Sequence, residues 1–358
     1  MSSPVKPLPA EDLAHVFSLT RNLWAEAKGQ VFFITGGTGF FGMWLLESFA
    51  HANDALGLDM KAVVLSRDPT AFAKKAPHLA TRGDLEFVAG DVRTFTFPSG
   101  KFGYVIHAAT DTARPPVGTD LPHIKDDIVA GTRRMLEFAG QAGTRKFLYV
   151  SSGAVYGAQP SELSHIEEDY KVQPQSLSLS TAYGLGKLDS EELCRDFAQQ
   201  TGCECKIARC FAFVGPHLPL DGHFAIGNFI RDALAGGPIR IDGDGTPFRS
   251  YLYAADLAVW LWTMLFIAPT GRLYNVGSDA AMPIGEVAAR VHAVVAPQVE
   301  VQIARIPSPG MSPSRYVPSV ERAETELGLK SLISLDESLR RTAAWLQNGH
   351  QIISPVSD

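Results

Sequence analysis

The 358-residue chain has few cysteines and no dense run of basic residues. Its four cysteines all lie between Cys194 and Cys210. No second pair and no nearby histidine completes a tetrahedral metal set around Cys203 and Cys205, so we predict reduced thiols and no metal site. The net charge of −6, without a cluster of lysines and arginines, argues against a nucleic-acid partner.

The chain also lacks a long apolar run. The longest, from Leu257 to Ala268, is too short to cross a bilayer and stops at Pro269. Residues 1–9 lack the apolar stretch of a signal peptide. We therefore expect a cytoplasmic protein without a membrane partner, in which residues 257–268 form a buried helix.

Apolar strand patterns alternate with helical patterns between residues 30 and 210. This alternation predicts βαβ units and an α/β fold with a doubly wound parallel sheet. The predicted strands cover residues 31–34, 61–65, 85–89, 104–108, 146–151 and 204–209, and the predicted helices cover 43–52, 124–142 and 181–201.

Three parts of the chain differ in character. Residues 1–29 predict a helical extension, and residues 30–210 a dinucleotide-binding domain. Glycine and proline become frequent after Phe211, where the alternation ends. Residues 211–358 therefore predict a smaller C-terminal α+β lobe that binds the substrate and is partly interleaved with the first domain.

A glycine-rich turn, residues 35–42, follows the first predicted strand and opens the first helix. Glycines at this point allow a tight turn and a close approach of the backbone to a pyrophosphate, and the helix N-terminus adds N–H groups and a positive dipole end. Glycine turns are common, but this one has the context of a dinucleotide site. The predicted cofactor contacts are Gly36, Gly37, Thr38, Gly39, Phe40, Phe41 and Gly42.

The end of the second predicted strand bears on the choice between NAD and NADP. An NAD site usually has an acid here for the ribose 2′-hydroxyl, but this chain has Ser66, followed by Arg67. An arginine beside the missing acid suits a 2′-phosphate and slightly favours NADP. Alternatively, Arg67 is a solvated loop residue and Asp68 turns to the ribose. After the third strand, Asp91 and Val92 are expected near the adenine, although Asp91 could equally cap a turn.

Tyr183 and Lys187 have the i, i+4 spacing that places two side chains on one helix face. A nearby cation would stabilise tyrosinate and lower the tyrosine pKa, so that Tyr183 could exchange a proton near neutral pH. Such pairs also occur on surfaces by chance. Ser152 supports the catalytic reading, because it ends the fifth strand at the edge where open α/β sheets bind ligands.

These motifs occur in a characteristic order along residues 30–345. The chain resembles the extended short-chain dehydrogenases/reductases of the nucleotide-sugar epimerase/dehydratase family, which have a Rossmann-type domain. The motifs that carry the resemblance are the glycine-rich turn, Ser151-Ser152-x-x-Val155-Tyr156-Gly157, Tyr183-x-x-x-Lys187, Gly215-Pro216 and Gly243–Tyr251.

The resemblance implies roles for individual residues. Tyr183 would be the acid/base at the C4 oxygen of the sugar, Lys187 would bind the nicotinamide ribose, and Ser152 would orient the substrate oxygen. It further implies cofactor contacts at His107, Ala108, Ala109 and Thr110, and contacts to a nucleotide-diphosphate sugar at Ala154, Asn228, Arg249 and Arg315. The helices at 124–142 and 181–201 would form a homodimer interface.

The chain departs from the family at several positions. Dehydratases and decarboxylases of the family carry an acid just after the catalytic serine or threonine, where this chain has Gly153 and Ala154. This departure argues against 4,6-dehydration and disfavours decarboxylation. Family asparagines are replaced by Ile128 and Ala212, and the second change removes an expected substrate contact.

The sequence therefore predicts NAD(P)-dependent oxidoreduction at C4 of a nucleotide sugar. An NADPH-dependent reductase of a 4-keto-(6-deoxy)sugar is slightly favoured, and a 4-epimerase that holds NAD is the alternative. A non-catalytic dinucleotide sensor is a remote alternative, because the chain keeps both Tyr183 and Lys187 and function depends on the site rather than the fold.

Overall fold

A computed structural model of the chain describes residues 4–110, 121–171, 181–222, 224–308 and 310–348. Its strands, in chain order, are β1 (Val31–Thr35), β2 (Lys61–Ser66), β3 (Leu85–Ala89), β4 (Tyr104–His107), β5 (Lys146–Ser152), β6 (Glu204–Cys210), β7 (Phe213–Val214), β8 (Ile239–Ile241), β9 (Phe248–Arg249), β10 (Leu252–Tyr253), β11 (Leu273–Val276), β12 (Met282–Pro283), β13 (Val301–Ile303) and β14 (Arg315–Tyr316).

Seven strands form one sheet in the order β11-β6-β5-β4-β1-β2-β3, and all its neighbouring pairs are parallel. In the middle, Phe33 of β1 lies opposite Val63 on one side and Val105 on the other. The strand order reverses between β1 and β4, which opens a crevice at their carboxyl ends, where such sheets bind ligands. The predicted doubly wound sheet is confirmed.

The helices are α1 (Ala10–Thr20), α2 (Phe40–Leu56), α3 (Pro69–Lys75), α4 (Pro77–Ala80), α5 (Leu121–Ala142), α6 (Ala182–Thr201), α7 (Ala225–Leu234), α8 (Ala254–Ile267), α9 (Ile284–Val295), α10 (Glu321–Leu327) and α11 (Leu335–Asn348), with short 3-10 helices at Trp24–Ala27 and Gly153–Tyr156. The helix predicted over 43–52 is longer at both ends. It begins directly at the glycine-rich turn and ends at Gly57, whose left-handed conformation caps it.

Two apolar clusters cover the two faces of the sheet. Because side chains alternate along a strand, Phe32 and Ile34 enter one cluster and Phe33 enters the other. The first cluster contains α2 and α8, and the second contains α5 and α6. The helix predicted over 257–268 is α8, which is buried from Ala254 to Phe266. Among the described residues, no helix is both long and apolar enough to cross a membrane.

The chain after Phe211 contributes both to small sheets and to the large one. β7 pairs with β10, β8 with β13, and β9 lies between β12 and β14. However, β11 is the edge strand beside β6, and α8 packs on the large sheet. The segment from α8 to β11 therefore returns to the first domain before the chain completes the second lobe.

The N-terminal segment is tied to the body by buried polar contacts. Asp12 of α1 accepts hydrogen bonds from the Tyr253 hydroxyl and from Nη1 of Arg341, each at 2.7 Å. His15 lies 2.8 Å from Asp256 of α8. These contacts hold α1 against α8.

The four cysteines are all free and buried. Cys194 lies on α6, and Cys205 and Cys210 lie on β6. Within the described ranges, no group of three or more histidine, cysteine or acidic side chains could hold a metal ion.

Candidate active site

The glycine-rich turn between β1 and α2 leaves no room for side chains at three positions. At Gly36, which has a φ of +74°, a β-carbon would lie 2.6 Å from the carbonyl oxygen of Ala108. A β-carbon at Gly37 would lie 2.5 Å from Cγ1 of Val64, and one at Gly42 would lie 2.2 Å from the carbonyl carbon of Gly37. Glycine is therefore required here, and the bare backbone can approach a ligand closely.

The turn leads directly into the N-terminus of α2. Gly39 is the N-cap residue, and no described side chain caps this helix end. The first N–H groups of a helix lack intrahelical partners and lie at its positive end, so they suit a phosphate. Phe40 and Phe41 are the first two residues of α2, and Thr38 precedes the N-cap residue Gly39. Lys75 adds a positive charge, since its Nζ donates to the Thr38 carbonyl at 3.4 Å.

At the end of β2, the side chain of Ser66 is buried and that of Arg67 is exposed. The Ser66 hydroxyl accepts the N–H of Asp68 at 3.3 Å. The Asp68 carboxylate accepts the N–H of Ala71 at 2.8 Å and caps α3. Asp68 therefore has a structural role that competes with the alternative in which it turns to a ribose.

Asp91 follows β3 and is engaged by Arg93. Its carboxylate accepts hydrogen bonds from the Arg93 backbone N–H at 2.9 Å and from Arg93 Nε at 2.8 Å. These bonds correspond to the alternative in which Asp91 caps a turn rather than contacting the adenine. Arg93 holds the pKa of Asp91 below its usual value, and Arg67 acts in the same direction. Val92 packs against α5, where a β-carbon at Gly131 would lie 2.9 Å from its Cγ1.

His107 ends β4 and is held between two threonines. Thr35 Oγ1 lies 2.9 Å from Nδ1, and Thr132 Oγ1 lies 3.3 Å from Nε2. Thr35 also accepts the N–H of Ala109 at 3.1 Å, which fixes the loop that follows β4. Burial lowers the pKa of His107 to about 3, so the ring is neutral at physiological pH.

Lys187 is buried beneath this loop. Its ammonium donates to Thr110 Oγ1 at 2.6 Å and to the carbonyl of Val150 at 2.8 Å. Burial lowers its pKa to about 8. Nζ lies 5.9 Å from the centre of the Tyr183 ring. The structure thus brings Thr110, one of the cofactor contacts expected after β4, together with the predicted pair of Tyr183 and Lys187.

The Ser152 side chain lies near the Tyr183 hydroxyl, where it favours the ionised form of the phenol and so acts to lower its pKa. Ser152 Oγ also accepts the N–H of Ala154 at 3.2 Å. The expectation of a lowered Tyr183 pKa is wrong for this structure, in which burial raises it to about 12. Ser152 opposes this rise of the pKa without cancelling it. The Lys187 ammonium is directed to its own two acceptors rather than to the phenol.

Gly184 allows the first turn of α6, which carries Tyr183, to pack closely on the segment that follows Ser152. A β-carbon at Gly184 would lie 2.3 Å from the carbonyl oxygen of Ala154. The first turn of α6 therefore packs directly on the 3-10 turn that follows Ser152. This close packing brings Tyr183, the residue before Gly184, near Ser152.

Two aromatic side chains close the site beside Gly153. A β-carbon at Gly153 would lie 2.7 Å from Cζ of Phe211 and 2.8 Å from the hydroxyl of Tyr316. The two rings lie 4.7 Å apart between centroids. The sequence analysis missed both residues. The only signal was Tyr316 following Arg315 in a segment chosen for its arginine.

The two arginines expected at one diphosphate lie on different faces of a small sheet. β9 and β14 are parallel, with Arg315 opposite Phe248 and Tyr316 opposite Arg249. The Arg249 guanidinium lies 5.9 Å from the Tyr316 ring, and that of Arg315 lies 4.1 Å from the Phe248 ring. Since register partners share a face, Arg249 accompanies Tyr316 and Arg315 does not.

The remaining predicted substrate contacts lie apart in the fold. Asn228 is half-buried on α7 in the second lobe, and its Oδ1 accepts from Arg231 at 3.3 Å. Ala154 is half-buried in the 3-10 turn after Ser152.

The parts described above define the class of protein. The turn that excludes β-carbons and the helix N-terminus fit the pyrophosphate of a dinucleotide, and Ser152, Tyr183 and Lys187 meet at the same edge of the sheet. This is the site of a nicotinamide-dependent enzyme of the short-chain dehydrogenase/reductase type. The model of the NAD dependent epimerase/dehydratase family matches residues 32–277, and the chain belongs to this family.

Relatives and solved structures agree with this assignment. The chain is 27% identical over 318 residues to UDP-glucuronic acid decarboxylase 1 of Arabidopsis thaliana, covering 88% of this chain and 69% of the relative. An epimerase from Methanothermobacter thermautotrophicus has a TM-score of 0.74 at 24% identity, covering 93% and 96% of the two chains. UDP-glucuronic acid 4-epimerase from Bacillus cereus, in complex with UDP-glucuronic acid and NAD, has a TM-score of 0.74 at 21% identity, covering 89% and 99%.

Proposed function

We propose that the protein catalyses oxidoreduction at C4 of a nucleotide sugar, without elimination or decarboxylation at C5. The observation that carries this proposal is the wall formed by Phe211 and Tyr316 beside Gly153. An acidic side chain at position 153 would have to occupy the space of these two rings. The acid that the dehydratase and decarboxylase patterns place after the serine is therefore absent at both Gly153 and Ala154, and the two rings leave no room for it at position 153.

The residues at hand serve reduction of a ketone. The nicotinamide, when bound, supplies the hydride. Tyr183 donates its phenolic proton to the C4 oxygen, and Ser152 hydrogen-bonds the same oxygen. Lys187, held by Thr110 and Val150, provides a positive charge near the phenolate that Tyr183 becomes. Arg249 supplies a fork of N–H donors for a substrate phosphate.

We propose NADPH as the cofactor and net reduction of a nucleotide 4-keto-(6-deoxy)sugar as the direction. The carboxylates of Asp68, just after β2, and of Asp91, just after β3, are already engaged, since Asp68 caps α3 and Asp91 pairs with Arg93. Ser66 is short, and Arg67 supplies a positive charge beside it. This combination favours a 2′-phosphate over a 2′-hydroxyl.

A nucleotide-sugar 4-epimerase is the second candidate. The same serine, tyrosine and lysine serve C4 oxidation and C4 reduction alike, and the family is described as NAD dependent. The Bacillus cereus 4-epimerase that shares this fold is in complex with NAD. An epimerase would keep NAD tightly bound through both half-reactions.

The test begins with the cofactor that the purified protein releases on denaturation, identified by mass spectrometry. NADP⁺ and NAD⁺ are then titrated into the stripped protein and into the Ser66→Asp and Arg67→Ala variants. The reductase proposal expects tighter NADP⁺ binding, weakened by both substitutions, with Ser66→Asp shifting preference to NAD⁺. Retained NAD with weak NADP⁺ binding, unaffected by Arg67→Ala, would overturn the reductase and favour the epimerase.

A further inference from the structure

The Lys187 ammonium lies over a second tyrosine ring besides that of Tyr183. Its Nζ is 4.8 Å from the centre of the Tyr149 ring and 5.9 Å from the centre of the Tyr183 ring. A lysine ammonium within about 6 Å of a ring centre is attracted by the electron-rich face of the ring. Tyr149 lies on β5, and its side chain is fully buried. The shorter of the two distances therefore belongs to a residue outside the set of Ser152, Tyr183 and Lys187.

Tyr149 is fixed by its neighbours in the sheet. It is the register partner of His107 on β4, and the two rings lie 5.5 Å apart between centroids. His107 is itself held between two threonines. The next residue on β5, Val150, supplies the carbonyl that accepts a hydrogen bond from Lys187 at 2.8 Å. Two successive residues of β5 therefore contact the ammonium, one through its ring and the other through its carbonyl.

The charge of Lys187 has no close counter-ion within the described ranges. There, Nζ donates to the Thr110 hydroxyl and the Val150 carbonyl and forms no ion pair. Glu191, one turn further along α6, pairs with Arg209 at 2.7 Å. The face of a neutral ring is therefore a main source of attraction for this buried cation.

The titratable groups around Lys187 are otherwise neutral. These groups are His107 on β4, Tyr149 on β5, Cys210 on β6, and Tyr183, Glu191 and Cys194 on α6. Burial lowers the pKa of the histidine and raises the pKa of both thiols and both tyrosines. Only Glu191 carries a charge among them, and it is committed to Arg209.

We propose that Tyr149 is a positioning residue, whose ring face holds the Lys187 ammonium in place and stabilises its positive charge in the buried site. This inference rests on the proposed C4 reduction, in which Lys187 stays charged near the phenolate of Tyr183. In that step the proton of Tyr183 moves to the C4 oxygen, and C4 receives the hydride of NADPH. The phenolate then recovers a proton from solvent, and no bond of Lys187 or Tyr149 breaks.

The titration of Lys187 tests the proposal directly. In the cofactor-bound enzyme labelled with ¹³C at lysine Cε, the resonance missing in Lys187→Met identifies Lys187. Tyr149→Phe keeps the ring and should leave the titration midpoint of this resonance in place. Tyr149→Leu removes the ring and should lower the midpoint by about one pH unit, as for loss of a desolvated cation–π contact. An unchanged or raised midpoint in Tyr149→Leu would overturn the proposal.

Phe147→Leu is the matched control for the loss of a buried ring. Phe147 lies two residues before Tyr149 on β5, is fully buried and belongs to the same apolar cluster. Because residues two apart share a face of the sheet, this variant removes a ring of similar size from the same face. The Lys187 midpoint should stay in place. An equal shift in Phe147→Leu and Tyr149→Leu would show an effect of lost packing and would contradict the proposal.

A second measurement covers the case in which Tyr149→Leu fails to fold. Phenylalanine and 3,4,5-trifluorophenylalanine are placed in turn at position 149, since fluorine withdraws electron density from the face of the ring and changes its size little. The Lys187 midpoint should be lower with the fluorinated ring. Equal midpoints would show that the ring acts only through its shape, against the proposal.

Turnover of the same variants links the ring to the reaction. With NADPH and a nucleotide 4-keto-6-deoxyhexose, the fall of kcat at high pH should begin about one pH unit lower in Tyr149→Leu than in wild type, with an unchanged KM for the sugar. If wild type turns over no such sugar, the proposed function fails, whereas the Lys187 titration still tests the role of Tyr149. If wild type is active and Tyr149→Leu leaves the titration unchanged, only the role of Tyr149 fails.

Discussion

Arg209 of β6 donates from Nη2 to Oε2 of Glu191 on α6 at 2.7 Å, and both side chains are buried. The same carboxylate accepts the hydroxyl of Ser151 at 2.6 Å. Ser151 immediately precedes Ser152, and Glu191 lies one turn beyond Lys187 on α6. This ion pair therefore holds the helix that carries Tyr183 and Lys187 against the strands that end at the site.

Removing the charge of Glu191 should destabilise the fold strongly. Glu191→Gln leaves the buried Arg209 without its counter-charge, a change that costs about 3–5 kcal/mol of unfolding free energy. Glu192→Gln is the matched control, because Glu192 is the next residue and pairs with Arg195 at the surface. It should change stability by less than about 1 kcal/mol. Urea denaturation measures both, and equal losses would contradict a special role for the buried pair.

Tyr183→Phe should abolish turnover while the protein still binds its cofactor. Loss of a general acid costs on the order of 10²–10⁴-fold in kcat. Because the ring remains, its contact with Lys187 is retained. Steady-state kinetics and cofactor titration test this together. Full activity in the variant would exclude Tyr183 as the acid.

The burial of Lys187 predicts a pH dependence of stability. Its pKa is about 8 in the folded protein, against an ordinary value of 10.5. Between these values the unfolded chain binds more protons, so the Lys187 contribution to the unfolding free energy rises with pH. The rise is on the order of 3 kcal/mol across this window.

Lys187→Met removes the titrating group and should remove this rise. The measurement is the difference in unfolding free energy between wild type and variant at several pH values from 7 to 10.5, by urea denaturation. The difference cancels the titration of other groups. A difference that stays constant with pH would show that the Lys187 pKa is not depressed.

Gly36→Ala should weaken cofactor binding as well as stability. The new methyl group would collide with the carbonyl of Ala108 at a positive φ. Gly57→Ala is the control, because Gly57 also has a positive φ, of 58°, but has nothing within 4 Å of its notional β-carbon. Gly57→Ala should cost about 1–2 kcal/mol for the left-handed backbone. It should leave cofactor affinity unchanged, whereas equal affinity in both variants would argue against the turn as the binding site.

Local sequence signals predicted the large sheet well. Each predicted strand between residues 30 and 210 ends within one residue of the observed one, since apolar strand patterns and glycine-rich ends are short-range signals. The Tyr183–Lys187 pair was also found by its helical spacing. The raised pKa of Tyr183 was not predicted, because it depends on burial by segments far away in the chain.

The parts of the candidate site that were not predicted depend on pairing between segments far apart in the chain. β9 and β14 are far apart in the chain, and only their register shows that Arg249 and Arg315 lie on different faces. The wall at Gly153 likewise combines Phe211 with Tyr316. Neither residue type has a spacing that marks it as part of a site.

The central claim is hydride transfer to C4 without chemistry at C5. The most direct measurement supplies NADPH deuterated at the transferred position together with UDP- and dTDP-linked 4-keto-6-deoxyhexoses, and analyses the products by NMR. The account predicts a 4-hydroxy sugar with deuterium at C4 and an unchanged C5. Absence of deuterium at C4 in every product, or release of carbon dioxide from UDP-glucuronic acid in a parallel incubation with NAD⁺, would contradict it.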